Sequence, residues 1–303
     1  MAPAPALDVI SLAGADDPRH RVAVMQRIAR AGRELGGFAV TDHGVADDVI
    51  EEMYAATTGF FAQPASVKAQ SAAAVPSRYQ GWCTHALAGG SNTAETFAVS
   101  RFDTAAELAA ANYTAADSPP PNLWPVAYPR LQAAWRPYLS QVHQLSMRLL
   151  DAAAQIIDAP PGWVQRTFTH HASGMIANWY PPHTRQDRLA QQPHTDFGAL
   201  TILFQDNGAG GLEILDSERA WQPVPAQAGT LIVLFGDLMQ RWSNGAVRAL
   251  PHRVTVPPAG GPGRLSVPYF CHPHRNAPTT PLHDTSAPGS RAADVRRQRE
   301  VRH

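Results

Sequence analysis

Residues 191–204 read Gln-Gln-Pro-His-Thr-Asp-Phe-Gly-Ala-Leu-Thr-Ile-Leu-Phe, and they place a histidine and a carboxylate two positions apart at the start of an apolar run. Side chains at i and i+2 of a β-strand point to the same face. We therefore expect His194 and Asp196 to converge on one point. A second histidine would complete the set of two imidazoles and one carboxylate that holds non-haem Fe(II) and leaves three coordination positions open.

His252 is the candidate for the third ligand. It follows Asp196 by 56 residues (252 − 196) and opens a second β-like run, His252-Arg-Val-Thr-Val-Pro257. We expect this run to form a strand paired across the mouth of a barrel. Twelve residues after His252, Arg264-Leu-Ser266 places a guanidinium and a hydroxyl on one strand face, which suits a carboxylate bound through both oxygens.

A His-x-Asp pair is common by itself, but its order with a distant histidine and a following Arg-x-Ser is specific. In this order the sequence resembles the isopenicillin N synthase-like family of Fe(II)- and 2-oxoglutarate-dependent oxygenases, over residues 6–275. The segments that carry the resemblance are Asn178-Trp-Tyr180-Pro-Pro182, Gly236-Asp237, Trp242-Ser-Asn-Gly245 and Arg264-Leu-Ser-Val-Pro-Tyr-Phe270, with Leu7–Leu12, Gly37–Gly44 and Phe60–Lys68 nearer the N-terminus.

The resemblance implies roles for the residues around these motifs. Fe(II) would be bound by His194, Asp196 and His252. The cosubstrate 2-oxoglutarate would be bound by Arg264 at its distal carboxylate, by Ser266 and Tyr180 through hydrogen bonds, and by Asn178 as a helper near the metal. With O2, the implied reaction is C–H oxidation of a small molecule by hydroxylation, desaturation or cyclisation, while 2-oxoglutarate is converted to succinate and carbon dioxide.

Three other functions stay open at this point. Some members of the resembled family oxidise their substrate with Fe(II) and O2 without 2-oxoglutarate, and they can retain the Arg-x-Ser pair. A non-catalytic small-molecule sensor on the same barrel is disfavoured by the complete ligand set. A zinc hydrolase with the same ligands would leave Arg264 and Ser266 without a purpose.

The order of secondary-structure signals predicts an α+β chain with an antiparallel barrel or jelly roll in its C-terminal half, and the resemblance implies a double-stranded β-helix, or jelly-roll, core with flanking helices. Helices are expected from Asp17 to Leu35, from about Asp47 to Phe61, and from about Leu131 to Ile157, where apolar residues recur at helical spacing. From residue 173 onward, short β-branched and aromatic runs alternate with turn residues. These runs cover 174–180, 194–204, 212–215, 230–235, 251–256 and 263–270.

The resemblance, together with this pattern, implies three regions. Residues 6–125 are expected to form a helical N-terminal dioxygenase region, 171–275 the jelly-roll core with the Fe(II) and 2-oxoglutarate site, and 276–303 a loosely packed tail. A βαβ nucleotide fold is disfavoured because no glycine-rich loop joins a strand to a helix. A Ser-His-Asp hydrolase is disfavoured because no Gly-x-Ser-x-Gly motif is present.

Two stretches carry weaker signals. Residues 71–92 are rich in Ser, Ala and Gly and include Arg78, Tyr79 and His85. In the resemblance this stretch contributes to the substrate side of the pocket, and a surface loop is the alternative for any single residue in it. Residues 103–125, rich in Ala, Asp and Pro, are expected to form a loop before the long helix.

The composition indicates which classes of partner the chain is expected to bind. The 303 residues include 25 basic and 25 acidic ones, so no net charge favours nucleic acid or an anionic membrane, and a small-molecule partner is expected. No apolar run approaches the ~18–20 residues of a membrane-spanning helix, and the N-terminus lacks a signal-peptide pattern. Two cysteines without CxxC spacing indicate neither a disulfide framework nor a zinc site.

We therefore expect a soluble, cytoplasmic protein. Its abundant alanine and proline, with Lys68 as the single lysine, suggest a GC-rich bacterial genome. That origin favours specialised-metabolite biosynthesis, such as that of an antibiotic, over a housekeeping role. The sequence indicates neither the primary substrate nor the oligomeric state.

Overall fold

The computed structural model describes residues 7–15, 17–86, 93–111, 113, 121–182, 189–206, 210–255, 261 and 263–283. Within these residues the chain forms two β-sheets with helices packed on the outside of the larger one. This is the α+β arrangement with a sheet-rich core that the sequence predicts. No helix among the described residues is both long enough and apolar enough to cross a membrane.

The N-terminal half supplies most of the helices and four of the strands. Helix α1 begins after Asp17, whose side chain accepts a hydrogen bond from the backbone N–H of Arg19, with Pro18 at the first helical position. The elements are β1 (Val9–Ser11), α1 (Pro18–Glu34), β2 (Gly37–Thr41), α2 (Asp47–Phe61), α3 (Ala65–Lys68), a 3-10 turn (Ala69–Ser71), β3 (Gly81–Ala86), β4 (Thr93–Ser100), α4 (Ala105–Ala110) and α5 (Arg130–Ile156).

The C-terminal half is mainly β-structure. Its elements are α6 (Trp163–Phe168), β5 (Gly174–Tyr180), β6 (Leu189–His194), β7 (Leu200–Gln205), β8 (Leu212–Leu215), β9 (Trp221–Pro223), β10 (Leu231–Phe235), α7 (Asp237–Trp242), β11 (His252–Thr255) and β12 (Arg264–Cys271). The larger sheet has the order β1-β2-β10-β7-β12-β5-β4-β3, and the smaller one has the order β6-β11-β8-β9. Every adjacent pair is antiparallel except β1 and β2.

Helix α5 braces the larger sheet. Its buried stripe includes Tyr138, Val142, Leu145 and Leu149 and packs against β12 and β7. The opposite face of the sheet turns toward the smaller sheet, and residues of both sheets line a cavity of about 510 Å³ between them. The cavity therefore lies between the two sheets, and the helices pack on the side of the larger sheet that faces away from the cavity.

Two stretches contain regular structure where a loop was the alternative, in 71–92, or the expectation, in 103–125. Strand β3 lies within 71–92 and pairs with β4, which extends the larger sheet beyond β5. The stretch 103–125 contains α4, which begins with a capping box in which Thr104 and Glu107 bond each other's backbone N–H groups. The sequence analysis missed these elements because β3 is an edge strand without regular alternation of apolar and polar residues, and α4 is too short to show an apolar stripe.

The chain after residue 275 is partly described. The backbone N–H of Leu282 donates to the carbonyl of Trp242 (3.0 Å), and the indole N–H of Trp242 donates to the carbonyl of Pro278 (2.7 Å). His283 contacts the carbonyl of Asp158 through its Nε2 atom (2.8 Å). Residues 276–283 thus pack on the core, whereas the rest of the predicted tail, 284–303, lies outside the described residues.

A buried ion pair anchors β4 to the helical layer. Nζ of Lys68 lies 2.6 Å from Oε2 of Glu95, and the two side chains are only 10% and 17% exposed. The same ammonium donates to the carbonyl of Phe61 (3.0 Å), and the indole N–H of Trp82 donates to Oε2 of Glu95 (2.7 Å). The single lysine of the chain is therefore a structural residue with its charge paired.

Removing one partner of this pair should destabilise the fold. In Glu95→Ala the Lys68 ammonium would stay buried without a counter-charge, which costs roughly 3 kcal/mol of unfolding free energy. Glu52→Ala is the matched control, because Glu52 pairs with Arg130 in solvent and such pairs contribute little. Denaturant unfolding of both variants measures the difference, and equal losses of stability would contradict a structural role for Lys68 and Glu95.

Candidate metal centre

Three predicted ligands meet at one rim of the cavity. His252, the first residue of β11, lies directly opposite His194, the last residue of β6. The Nε2 atoms of His194 and His252 lie 3.8 and 3.9 Å from Oδ1 of Asp196. His194, Asp196 and His252 are called the metal triad below. Among the residues that the structure describes, they form the only group of three or more ligating side chains that could hold one metal ion.

The reason for this convergence differs from the prediction. The expected strand 194–204 is interrupted, since β6 ends at His194 and β7 begins at Leu200 in the other sheet. Asp196 therefore lies on the segment that crosses between the sheets, and the two-residue period of a strand does not bring it to His194. The prediction of one continuous strand was wrong, although both residues reach the same point.

The crossing segment is positioned by α7. The backbone N–H of Asp237 donates to the carbonyl of Asp196 (2.8 Å), and that of Gly236 donates to the carbonyl of Ala199 (3.1 Å). A Cβ atom on Gly236 would lie 2.6 Å from the carbonyl oxygen of Asp196 and closer still to that of Gly198. The Gly236-Asp237 motif is thus a point of close backbone approach that only glycine allows.

The two histidines present the same nitrogen to the centre. Nδ1 of His194 lies 2.8 Å from the carbonyl oxygen of Gln192, and Nδ1 of His252 lies 3.0 Å from that of Leu250. A carbonyl only accepts hydrogen bonds, so Nδ1 carries the proton and Nε2 presents its lone pair in each ring. Nε2 of His194 meanwhile accepts a hydrogen bond from the amide of Gln191 (3.1 Å).

Asp196 is held by a residue that the sequence analysis missed. The hydroxyl of Thr201, on β7, donates to Oδ2 of Asp196 (2.5 Å), which leaves Oδ1 toward the histidines. Burial lowers the pKa of His252, against the opposing effect of the Asp196 carboxylate. The neutral imidazole that a metal needs is therefore favoured. A threonine inside a β-branched run carries no sequence signal that separates it from an ordinary strand residue.

The donor set fits the implied metal. Two ligand atoms that each lie roughly 2.0–2.2 Å from an ion are at most about 4.4 Å apart, and the separations of 3.8 and 3.9 Å satisfy this limit. Two neutral imidazoles and one carboxylate on one side of an ion form the ligand set of non-haem Fe(II) oxygenases. Geometry and donor chemistry both agree with Fe(II) at this position.

A buried cation lies in the same cavity. Arg264 is 1% exposed; its Nη1 donates to the hydroxyl of Ser266 (3.1 Å), and its Nε donates to the carbonyl of Gly210. Its Nη2 has no hydrogen-bond partner, and no carboxylate of the described residues lies within 4.0 Å of the guanidinium. Leaving a buried cationic donor unpaired is costly, so this site suits an incoming carboxylate.

Strand pairing gathers the other predicted cosubstrate residues around Arg264. Tyr180 lies opposite Arg264 and Asn178 lies opposite Ser266 in the β5–β12 ladder. The guanidinium is 5.4 Å from the centre of the Tyr180 ring. The name cosubstrate end is used below for Asn178, Tyr180, Arg264 and Ser266. All of them line the same cavity as the metal triad.

Some residues of the stretch 71–92 line the cavity and others do not. Arg78 and Tyr79 line the cavity, whereas His85 does not. The sequence analysis did not single out His272, which also lines the cavity and stacks on Phe270 with ring centres 6.3 Å apart. His272 follows the Arg-x-Ser strand but belongs to no motif or periodic pattern that would have identified it.

Comparisons with known proteins agree with this geometry. The chain matches the model of the 2OG-Fe(II) oxygenase superfamily, where 2OG is 2-oxoglutarate, over residues 171–273. Residues 7–127 match the model described as non-haem dioxygenase in morphine synthesis N-terminal. Proline hydroxylase buaE of Petromyces alliaceus is 30% identical over 273 residues, which cover 86% of this chain and 84% of that protein. The chain belongs to the 2OG-Fe(II) oxygenase superfamily.

Further relatives support the same assignment. This oxygenase is 28% identical to validamycin A dioxygenase of Streptomyces hygroscopicus subsp. limoneus over 283 residues, 88% of this chain and 76% of that one. A solved 2OG-Fe(II) oxygenase family protein from Caulobacter crescentus has the same fold, with a TM-score of 0.79 at 22% identity, covering 98% of this chain and 100% of that chain.

The family, the jelly-roll fold and the enzyme class predicted from the sequence are confirmed. The protein is an Fe(II)- and 2-oxoglutarate-dependent dioxygenase.

The hydrogen bond from Thr201 to Asp196 yields a prediction about metal affinity. Thr201→Val keeps the shape of the side chain but leaves Oδ2 of Asp196 unpaired, and loss of such an outer-shell partner weakens metal binding roughly 10-fold or more. Thr201→Ser keeps the hydroxyl and serves as the control. Anaerobic Fe(II) titration measures both variants, and wild-type affinity in Thr201→Val would show that the hydroxyl does not position Asp196 for the metal.

Proposed function

We propose that the metal triad holds the Fe(II) of this dioxygenase and that the cosubstrate end binds the distal carboxylate of 2-oxoglutarate. One observation carries the proposal: a fully buried guanidinium with an unpartnered Nη2 lies in the same cavity as two imidazoles and a carboxylate that converge. The cavity thus offers a site for a cation next to a site for an anion. The metal and a 2-oxo dicarboxylic acid together meet both requirements.

Each residue of the site then has a physical task. Fe(II), when bound with 2-oxoglutarate, activates O2 for oxidation of a C–H bond. His194 and His252 supply neutral Nε2 lone pairs, and the charge of Asp196 offsets part of the charge of the metal. Arg264 binds the cosubstrate carboxylate in its planar fork while Ser266 and Tyr180 donate hydrogen bonds to it. The buried apolar side chains that line the cavity, Leu203, Leu212, Leu234 and Val254, exclude water.

The substrate is a small molecule. A cavity of about 510 Å³ lies within the roughly 300–1,000 Å³ of small-molecule sites. Two of the relatives are named for validamycin A and for proline, which are both small molecules. The reaction on this chain is hydroxylation, desaturation or cyclisation in a specialised biosynthetic pathway, and the balanced charge of the chain supports neither a nucleic-acid nor a membrane partner.

The same proposal assigns the regions of the chain. Residues 6–125 form the N-terminal dioxygenase region, and 171–275 form the catalytic core. Pairing of β4 with β5 makes the two regions share one sheet. The N-terminal region therefore contributes Arg78 and Tyr79 to the wall of the catalytic cavity.

Alanine variants test the metal triad. His194→Ala, Asp196→Ala and His252→Ala should each lower Fe(II) affinity by more than about 100-fold, beyond the loss that an outer-shell change causes. His20→Ala is the control, since that histidine is exposed on α1. Anaerobic Fe(II) titration gives the affinities, and a melting curve shows that each variant is folded. A folded variant that binds Fe(II) like the wild type would remove its residue from the triad.

A second experiment tests the cosubstrate end. Arg264→Lys cannot reproduce the planar fork, and loss of a charge-assisted pair costs on the order of 1.5–3 kcal/mol. The KM for 2-oxoglutarate in succinate formation should therefore rise roughly 10-fold or more, with Fe(II) affinity nearly unchanged. Ser266→Ala should have a smaller effect in the same direction. An unchanged KM together with a lowered melting temperature would show that Arg264 is structural. Consumption of O2 by the wild type without 2-oxoglutarate and without succinate formation would indicate the cosubstrate-independent oxidase.

A further inference from the structure

Three of the described residues that line the cavity are an arginine or an acidic residue, namely Arg78, Asp196 and Arg264. Asp196 and Arg264 have tasks in the proposed function. The guanidinium of Arg78 has none. A cation at a substrate cavity without an assigned partner is a candidate for substrate recognition.

Arg78 has no structural partner among the described residues. It forms no hydrogen bond and no ion pair with them, and it is exposed on the segment before β3. Three other arginines near the surface pair with carboxylates, namely Arg130 with Glu52, Arg136 with Asp103, and Arg253 with Glu213. Exposed arginines without a partner also occur elsewhere, as Arg33 on α1, but among the described residues Arg78 is the one of these that lines the cavity.

The charge of Arg78 acts on two neighbouring side chains, those of His85 and Tyr180. Burial and then the nearby Arg78 guanidinium lower the pKa of His85 to about 4. Burial raises the pKa of Tyr180, and the positive charges of Arg264 and Arg78 oppose that rise. Arg78 thus acts electrostatically on a residue of the cosubstrate end, which agrees with its place in the cavity wall.

Large exposed aromatic side chains lie at the same cavity. Tyr79 is 79% exposed and Phe197 is 66% exposed, and both line it. Aromatic rings left in water are surfaces that an apolar ligand can cover. Further in, the lining includes apolar side chains such as Ile176, Pro268 and Phe270. The cavity thus combines one unassigned cation with an apolar wall.

We propose that the primary substrate is a carboxylic acid with an apolar body, whose carboxylate is bound by Arg78 while the body lies against Tyr79 and Phe197. This inference rests on the proposed function, because it takes oxidation at the metal triad as given, and it adds the substrate class. A guanidinium binds a carboxylate through two parallel hydrogen bonds. A phosphate dianion would need further cations, and the described lining offers only Arg264, which the cosubstrate occupies.

The test uses a library of aryl, alkyl and terpenoid monocarboxylic acids, each paired with its primary amide, together with aryl and alkyl phosphate monoesters. Binding to protein loaded with Fe(II) and 2-oxoglutarate is measured without O2 from the shift in melting temperature. Stimulation of succinate formation is measured separately in air. The proteins are the wild type, Arg78→Gln, Arg78→Lys and the control Arg33→Gln, which removes an exposed arginine from the last turn of α1.

The acids that bind the wild type should bind more tightly than their amides by roughly 10-fold or more, the usual effect of a charge-assisted hydrogen bond. Arg78→Gln should remove this preference, Arg78→Lys should retain part of it, and Arg33→Gln should behave like the wild type. A raised KM for 2-oxoglutarate in Arg78→Gln, with the acid preference intact, would assign Arg78 to the cosubstrate and overturn the inference.

Preference for amides or phosphate monoesters in the wild type, or an acid preference that survives in Arg78→Gln, would also overturn it. So would a wild type that binds Fe(II) and 2-oxoglutarate but none of the acids. Failure of the wild type to bind Fe(II) or 2-oxoglutarate at all would instead refute the proposed function, so the two failures are distinguishable.

Discussion

The close approach of Gly236 to the segment 195–199 is the constraint on which the site depends. Because a side chain at Gly236 would collide with the backbone of Asp196 and Gly198, α7 can begin directly beneath the crossing between the sheets. Its first N–H groups then hold the carbonyls of that segment. This contact holds the backbone of Asp196 near the point where β6 and β11 bring two histidines together, and the hydroxyl of Thr201 then orients the carboxylate.

The charged groups of the cavity need partners that the protein itself does not supply. The walls are mainly apolar strands, so each ionised group inside them requires a counter-charge. Asp196 and the two histidines need a cation, while Arg264 needs an anion. In the proposed function, the metal and the cosubstrate would supply these two opposite charges. Lys68 and Glu95 show the contrast, since that buried pair is already satisfied and serves only the fold.

The sequence predicted more of the site than of the strands that build it. The residues of the metal triad and the cosubstrate end were identified from short motifs, and each lies in the cavity. The strand argument for His194 and Asp196 was wrong because the chain leaves one sheet between them. Thr201, Gln191 and His272 were missed, since single polar residues within or beside apolar strands have no periodic signature.

By itself the sequence determined the family, the jelly-roll class, the long helices and the identity of the candidate ligands, because motif order and apolar periodicity are local properties of the chain. Only the tertiary structure decided which nitrogen each histidine presents, which oxygen of Asp196 is free, and that Arg264 is buried with an open donor while Arg78 stands unpaired at the same cavity. These features arise from contacts between residues far apart in the sequence, and such contacts exist only after the two sheets have closed around the cavity.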